Sequence, residues 1–177
     1  MWHDDVLAFW FCELKPAAWF DKNDTVDALI RERFGETHER LVRAALEVPQ
    51  TPHSYLAAVI VLDQFSRNLY RGSPLAYAND ERALALAAEA IDRGFDAELD
   101  VRERQFLYMP FMHSEDPAVQ ARSVDLFESL GDPRVSEYAR DHRRIVDLFG
   151  RFPHRNRILG RDSTHAELEF MKQHPGF

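Results

Sequence analysis

The stretch Tyr55–Arg71, YLAAVIVLDQFSRNLYR, decides the fold. From Tyr55 to Leu62 the only polar side-chain group is the tyrosine hydroxyl, and a helix that is apolar on every side belongs in the middle of a core. The second half then turns polar with helical spacing. Asp63, Arg67 and Arg71 recur every four residues, as do Gln64 and Asn68, so two neighbouring stripes of one face carry two arginines, a carboxylate and two amides. Buried polar groups are costly unless they are paired or face a cavity. This end of the helix therefore marks either an ion-pair knot or a ligand site.

The composition around this stretch narrows the options. With 177 residues, 45% of them hydrophobic, the chain fits a single domain, 1–177, able to bury a substantial core. Thirteen Phe, five Tyr and three Trp make that core aromatic, and only seven Gly and nine Pro leave room for long helices. A net charge of −8 argues against general nucleic-acid or anionic-membrane binding, which needs a basic footprint. The single cysteine, Cys12, excludes an internal disulfide and a cysteine-cage metal site and suits a reducing, cytoplasmic setting. Flanked by Phe11 and Glu13 in an apolar segment, it is expected to be a buried, inert thiol. No apolar run approaches the roughly 20 residues of a membrane span, and no signal segment opens the chain.

Working outward, Asp4 to Leu14 reads as a helix ended by Pro16. Asp24 is expected to cap a helix that Gly35 stops, with a separate helix over Glu36–Glu47. After Arg71, Ser73 and Pro74 are placed to start a helix that runs to Arg93, rich in alanines that allow close helix approach. Further helices are expected over Asp100–His113 (with a kink at Pro110), Pro117–Leu130 and Pro133–Phe149, and a last one to Lys172 is capped by Ser163 or Thr164. About eight or nine helices and no alternating strand pattern make the chain all-α. Short loops favour antiparallel helical hairpins stacked around the buried central helix.

Four stretches, VLAFWF from Val6, LDQFSRNLYRGSPLAYANDERAL from Leu62, FLYMPFMHSED from Phe106 and GRFPHRNRILGRDST from Gly150, resemble the bacterial family known as domain of unknown function 924. The resemblance implies a tetratricopeptide-like helical array and assigns no activity. In that family the residue before Arg67 is commonly proline, whereas here it is Ser66.

The candidate ligand-binding residues fall in two groups. Asp63, Gln64, Arg67, Asn68 and Arg71 form the first, since guanidinium groups match carboxylate and phosphate bidentately. The second is His154, Arg155 and Asn156, on an irregular segment within an arginine-rich tail. Two donor-rich groups in an acidic chain suggest that they meet around one anion, with ion pairing to neighbouring acids as the competing reading. In HSED, Asp116 is expected to cap the helix beginning at Pro117 rather than help hold a metal. No metal or cofactor is expected. The absence of phosphate-loop, nucleophile-elbow and paired-histidine motifs leaves open whether any reaction follows binding. Asp63, His113, His142 and His154 are the acid or base groups available for one. The sequence thus points to a protein that binds a small anionic metabolite at the polar end of the central helix. The alternative is a helical scaffold holding a peptide or protein partner in a groove.

Overall fold

The structure, a computed structural model, describes residues 1–174, and all regular structure in them is helical. Helix α1 (Trp2–Leu7) continues as a π-helical segment, Ala8–Glu13. Val6, Phe9 and Trp10 form its buried stripe. Cys12 follows Trp10 by about half a helical turn and therefore faces outward, so the expectation of a buried thiol is corrected: it is exposed.

Helix α2 (Asp24–Val42) is capped by Asn23, whose Oδ1 accepts from Thr25 N and Val26 N at 3.0 and 3.2 Å. It runs through Gly35, so the two helices expected here are one. Ile30, Phe34, His38 and Leu41 share one buried face across the glycine. Burying that face outweighs the ~1 kcal/mol that a mid-helix glycine costs. The helix ends instead just before Ala44, which adopts a left-handed φ of 52°.

The central stretch is helical in three pieces: α3 (Pro52–Ile60), a π-helical segment (Val61–Phe65) and α4 (Ser66–Leu69). Thr51 caps it and Pro52 occupies its first turn. As the sequence predicts, Leu56 to Leu62 are completely buried and Tyr55 is 2% exposed. Helix α5 (Asp80–Asp92) packs on α3 through Ala83, Ala87 and Ala90, all without exposed surface. It begins later than expected, because Pro74–Ala76 forms only a 3-10 turn. Helix α6 (Val101–Met112) continues two residues past Pro110. It opens with a reciprocal cap, Glu103 N on Asp100 Oδ1 and Asp100 N on Glu103 Oε2, both at 2.9 Å.

Helices α7 (Pro117–Glu128) and α8 (Pro133–Phe149) form a hairpin, and α9 (His165–Gln173) follows an irregular segment. Asp116 caps α7 as expected, with Oδ1 accepting from Ala118 N and Val119 N at 2.7 and 3.2 Å. Thr164, one of the two expected caps, forms a capping box with Glu167 on α9.

These elements gather into two compact units, the first comprising Met1–Arg71 with Leu75–Pro110, the second Gly72–Pro74 with the chain from Phe111 onward. The core of the first is aromatic. Phe34 lies 5.1 Å from Phe9 and 5.2 Å from Phe65, while Trp10 contacts Phe65 at 5.6 Å and Phe106 at 5.4 Å. In the second, Ile145, Val146 and Phe152 form a cluster flanked by Phe149 and Phe170. None of the described helices is long and apolar enough to cross a membrane.

Candidate functional site

The polar end of the central helix begins inside its π-helical segment, a local widening often found at functional sites. Asp63, with no exposed surface, accepts from Gln64 Nε2 at 2.5 Å and from Arg67 Nη1 at 3.0 Å. Arg67 also forks onto Asp80 at the start of α5, Nη1 to Oδ1 at 2.9 Å and Nη2 to Oδ2 at 3.0 Å. Burial opposes the charge on Arg67, but Asp63 and Asp80 outweigh it and raise its pKa further. Asp63, Gln64 and Arg67 thus form an ion-pair knot with Asp80, a residue the sequence reading missed.

Ser66, in the position where the family pattern has proline, sits in an unbroken helix. Its hydroxyl donates to Leu62 O at 2.6 Å, so it accepts from Asn79 Nδ2 at 3.2 Å and from His38 Nε2 at 2.8 Å. The proton of His38 therefore lies on Nε2, and this pair is not arranged as a nucleophile with its base. His38 Nδ1 is buried with no partner among the described residues. Burial accordingly lowers the pKa of His38, since a second N–H would be left unbonded.

Asn68 and Arg71 turn the other way, toward Asp27 on α2. Asn68 Nδ2 reaches Oδ1 at 2.7 Å, and Arg71 donates from Nε to Oδ2 at 2.5 Å and from Nη2 to Oδ1 at 3.0 Å. Burial pushes the Asp27 carboxyl up, yet the bonds from Arg71 and Asn68 and the nearby Arg31 hold it below the usual range. Arg31 Nη2 meanwhile satisfies Leu69 O at the end of α4, at 2.9 Å. An open cleft of about 320 Å³ lies here, lined by Lys22, Asp24, Asp27, Arg31, Asn68, Leu69 and Arg71. Nη1 of Arg31 and Nη1 of Arg71 make no hydrogen bond among the described residues, so both remain donors toward a ligand. Lys22 and Arg31 were not among the expected site residues. The spacing of Asp24, Asp27 and Arg31 on one face of α2 was the available signal.

The tail residues belong to the second unit. Arg155 Nη2 donates to His113 O at 3.0 Å, and its guanidinium lies 4.8 Å from the centre of the Phe152 ring. Asn156, fully buried, donates to Ser163 Oγ at 3.1 Å and accepts from Arg161 Nε at 2.9 Å. His154 is half-buried, 5.7 Å from the Phe152 ring. The hub of this segment is in HSED, which the sequence offered only as a weak metal corner. Glu115 accepts a fork from Arg161 at 2.7 and 2.9 Å and the Phe152 N–H at 2.7 Å. Burial raises the Glu115 carboxyl, but those bonds hold it below its ordinary range. His142 bonds Tyr138 O through Nδ1 at 2.8 Å. Its pKa is lowered to about 3 by burial, reinforced by His113, His154 and Arg155 and opposed by the Tyr138 carbonyl. Among the described residues no group of three or more His, Cys, Asp or Glu side chains is placed to hold a metal ion.

Comparison with known proteins adds kinship without an activity. Residues 6–175 match the family described as bacterial protein of unknown function (DUF924). No curated protein matches the chain. The solved structure of ATU0120, a protein of unknown function from Agrobacterium tumefaciens, is similar to it, with a TM-score of 0.92 and 40% identity over 97% of each chain.

Proposed function

Taking as premise that the chain belongs to the DUF924 family, we propose that it binds a small anionic ligand in the first unit, at the polar end of the central helix. The cleft beside Arg71 carries this reading. Lys22, Arg31 and Arg71 line it against two carboxylates, Asp24 and Asp27, and both arginines keep donors available. Arg67 plays a different part, since Asp63 and Asp80 engage it inside the unit. Calorimetric titration and thermal shift with small carboxylates and phosphates test the proposal. Binding should stabilise the protein in proportion to the logarithm of ligand concentration above the dissociation constant. Arg31→Ala and Arg71→Ala should each remove that shift while leaving helical content unchanged. Full retention of binding in both variants would overturn the reading.

Tetratricopeptide-like stacking of hairpins is part of the same proposal for the fold, supported by the α7–α8 hairpin and its four-residue connection. A reducing, cytoplasmic setting is supported by the exposed single thiol of Cys12.

A further inference from the structure

Resting on that reading, we infer that the cleft takes a small ligand presenting one carboxylate, in preference to a phosphate or a nucleotide. Charge balance is the first ground. Lys22, Arg31 and Arg71 against Asp24 and Asp27 leave the cleft with one net positive charge. A monoanion brings the site to neutrality. A phosphate monoester, with about −1.5 to −2 charges at neutral pH, overshoots it and meets the Asp27 carboxylate at the back of the cleft.

The donors point the same way. Asp27 already lies on Arg71 Nε and Nη2 and on Asn68 Nδ2 as a bound carboxylate would, so the cleft is built around carboxylate recognition. Phosphate sites commonly draw on backbone amides at a helix N-terminus. At the start of α2 three of those amides are committed: Asn23 Oδ1 takes Thr25 N and Val26 N, and Asn23 O takes Asp27 N at 2.9 Å. Apart from the Asp24 N–H, the donors that remain are on side chains, Nη1 of Arg31, Nη1 of Arg71 and the Lys22 ammonium beside Asp24, enough to hold two carboxylate oxygens.

Size and lining disfavour larger anions. At about 320 Å³ the cleft is at the small end of ligand sites, and no aromatic side chain lines it, so a nucleobase has no ring to stack on. Asp24 stands at the rim with its side chain 88% exposed, 4.0 Å from the Lys22 ammonium, where it adds negative charge to the first turn of α2.

The test titrates the full chain with lactate, inorganic phosphate and adenosine monophosphate, reading heat and the NMR signals of the Arg31 and Arg71 guanidinium groups. Lactate should bind at least about tenfold more tightly than either phosphate compound. Asp24→Asn raises the net charge of the cleft to +2 without disturbing its interior. It should narrow the preference for lactate over phosphate by at least about threefold. Phosphate binding as tightly as lactate to the unmodified protein would overturn this inference while leaving an anion site in place. If none of the three ligands moves the guanidinium signals, the inference and the proposed function fall together.

Discussion

Asp27 and Arg71 stand 44 positions apart in the chain and meet as a fork, Nε on Oδ2 at 2.5 Å and Nη2 on Oδ1 at 3.0 Å. The contact fastens the N-terminal half of α2 to the end of the central helix, and it leaves Nη1 of Arg71, a residue that lines the cleft, without a hydrogen bond among the described residues. A single guanidinium thus serves the fold with one edge and is available to a ligand with the other. Asp27→Ala should therefore destabilise the protein by about 1–3 kcal/mol, because it leaves a half-buried guanidinium and the Asn68 amide without their acceptor. A double-mutant cycle with Arg71→Ala, read from urea midpoints, should show coupling near the size of the single effect. Additive effects would mean that the fork contributes nothing.

The knot around Arg67 is more deeply placed. Asp63→Ala should cost roughly 3–5 kcal/mol, since Asp63 has no exposed surface and Arg67 would keep its charge with Asp80 as the remaining carboxylate beside the carbonyl of residue 63. Replacing Asp80 instead should cost less, because its side chain is 16% exposed and water can reach the vacated acceptor position. Chemical denaturation of the two variants side by side checks the order.

Truncating the apolar half of the central helix has a different mechanism. Ile60→Ala should lower stability by about 2–5 kcal/mol through lost burial and the cavity left in a fully enclosed site. The guanidinium chloride midpoint should drop with an unchanged slope.

Acidification should weaken the protein in two stages. Burial depresses the pKa values of His38 and His142 in the folded state below the ordinary 6.5, that of His142 to about 3. The unfolded chain then binds more protons as pH falls through 6.5. The stability these groups contribute is complete above that value and is lost toward their folded pKa values, by at most about 1.4 kcal/mol per pH unit for each. His142→Gln should flatten the decline between pH 6.5 and 4.5. Below pH 4.5 the carboxylates take over. Arg151 and the capping-box bonds hold Glu167 at about 2, despite burial that raises it, so its stabilisation is complete above 4.5 and lost toward pH 2. Melting temperatures across pH 8 to 2 follow both stages, and Glu167→Gln should reduce only the second.

The α-helical class, the positions of most helices, the caps at Asp116 and Thr164 and the burial of Tyr55–Leu62 were determined by the sequence itself. Periodicity, capping chemistry and hydrophobic runs act over a few residues, so they can be read without knowing what lies opposite. Where a local signal failed, a longer-range one had overridden it. Gly35 reads as a stop, yet Phe34 and His38 on either side of it bury the same face of α2. Cys12 sits among apolar neighbours, yet the phase set by Phe9 and Trp10 turns it outward. The choice of partners was left to the tertiary structure. Within the Asp63–Arg71 stretch the spacing offers Asp63 to Arg67, but nothing there shows that Asp80 also holds Arg67 or that Asp27 holds Arg71 at the edge of a cleft. Glu115 likewise gives no local sign of Arg161, its partner 46 residues on. A guanidinium pairs equally well with any carboxylate at hydrogen-bonding distance, and packing of the apolar faces decides which of them arrives there.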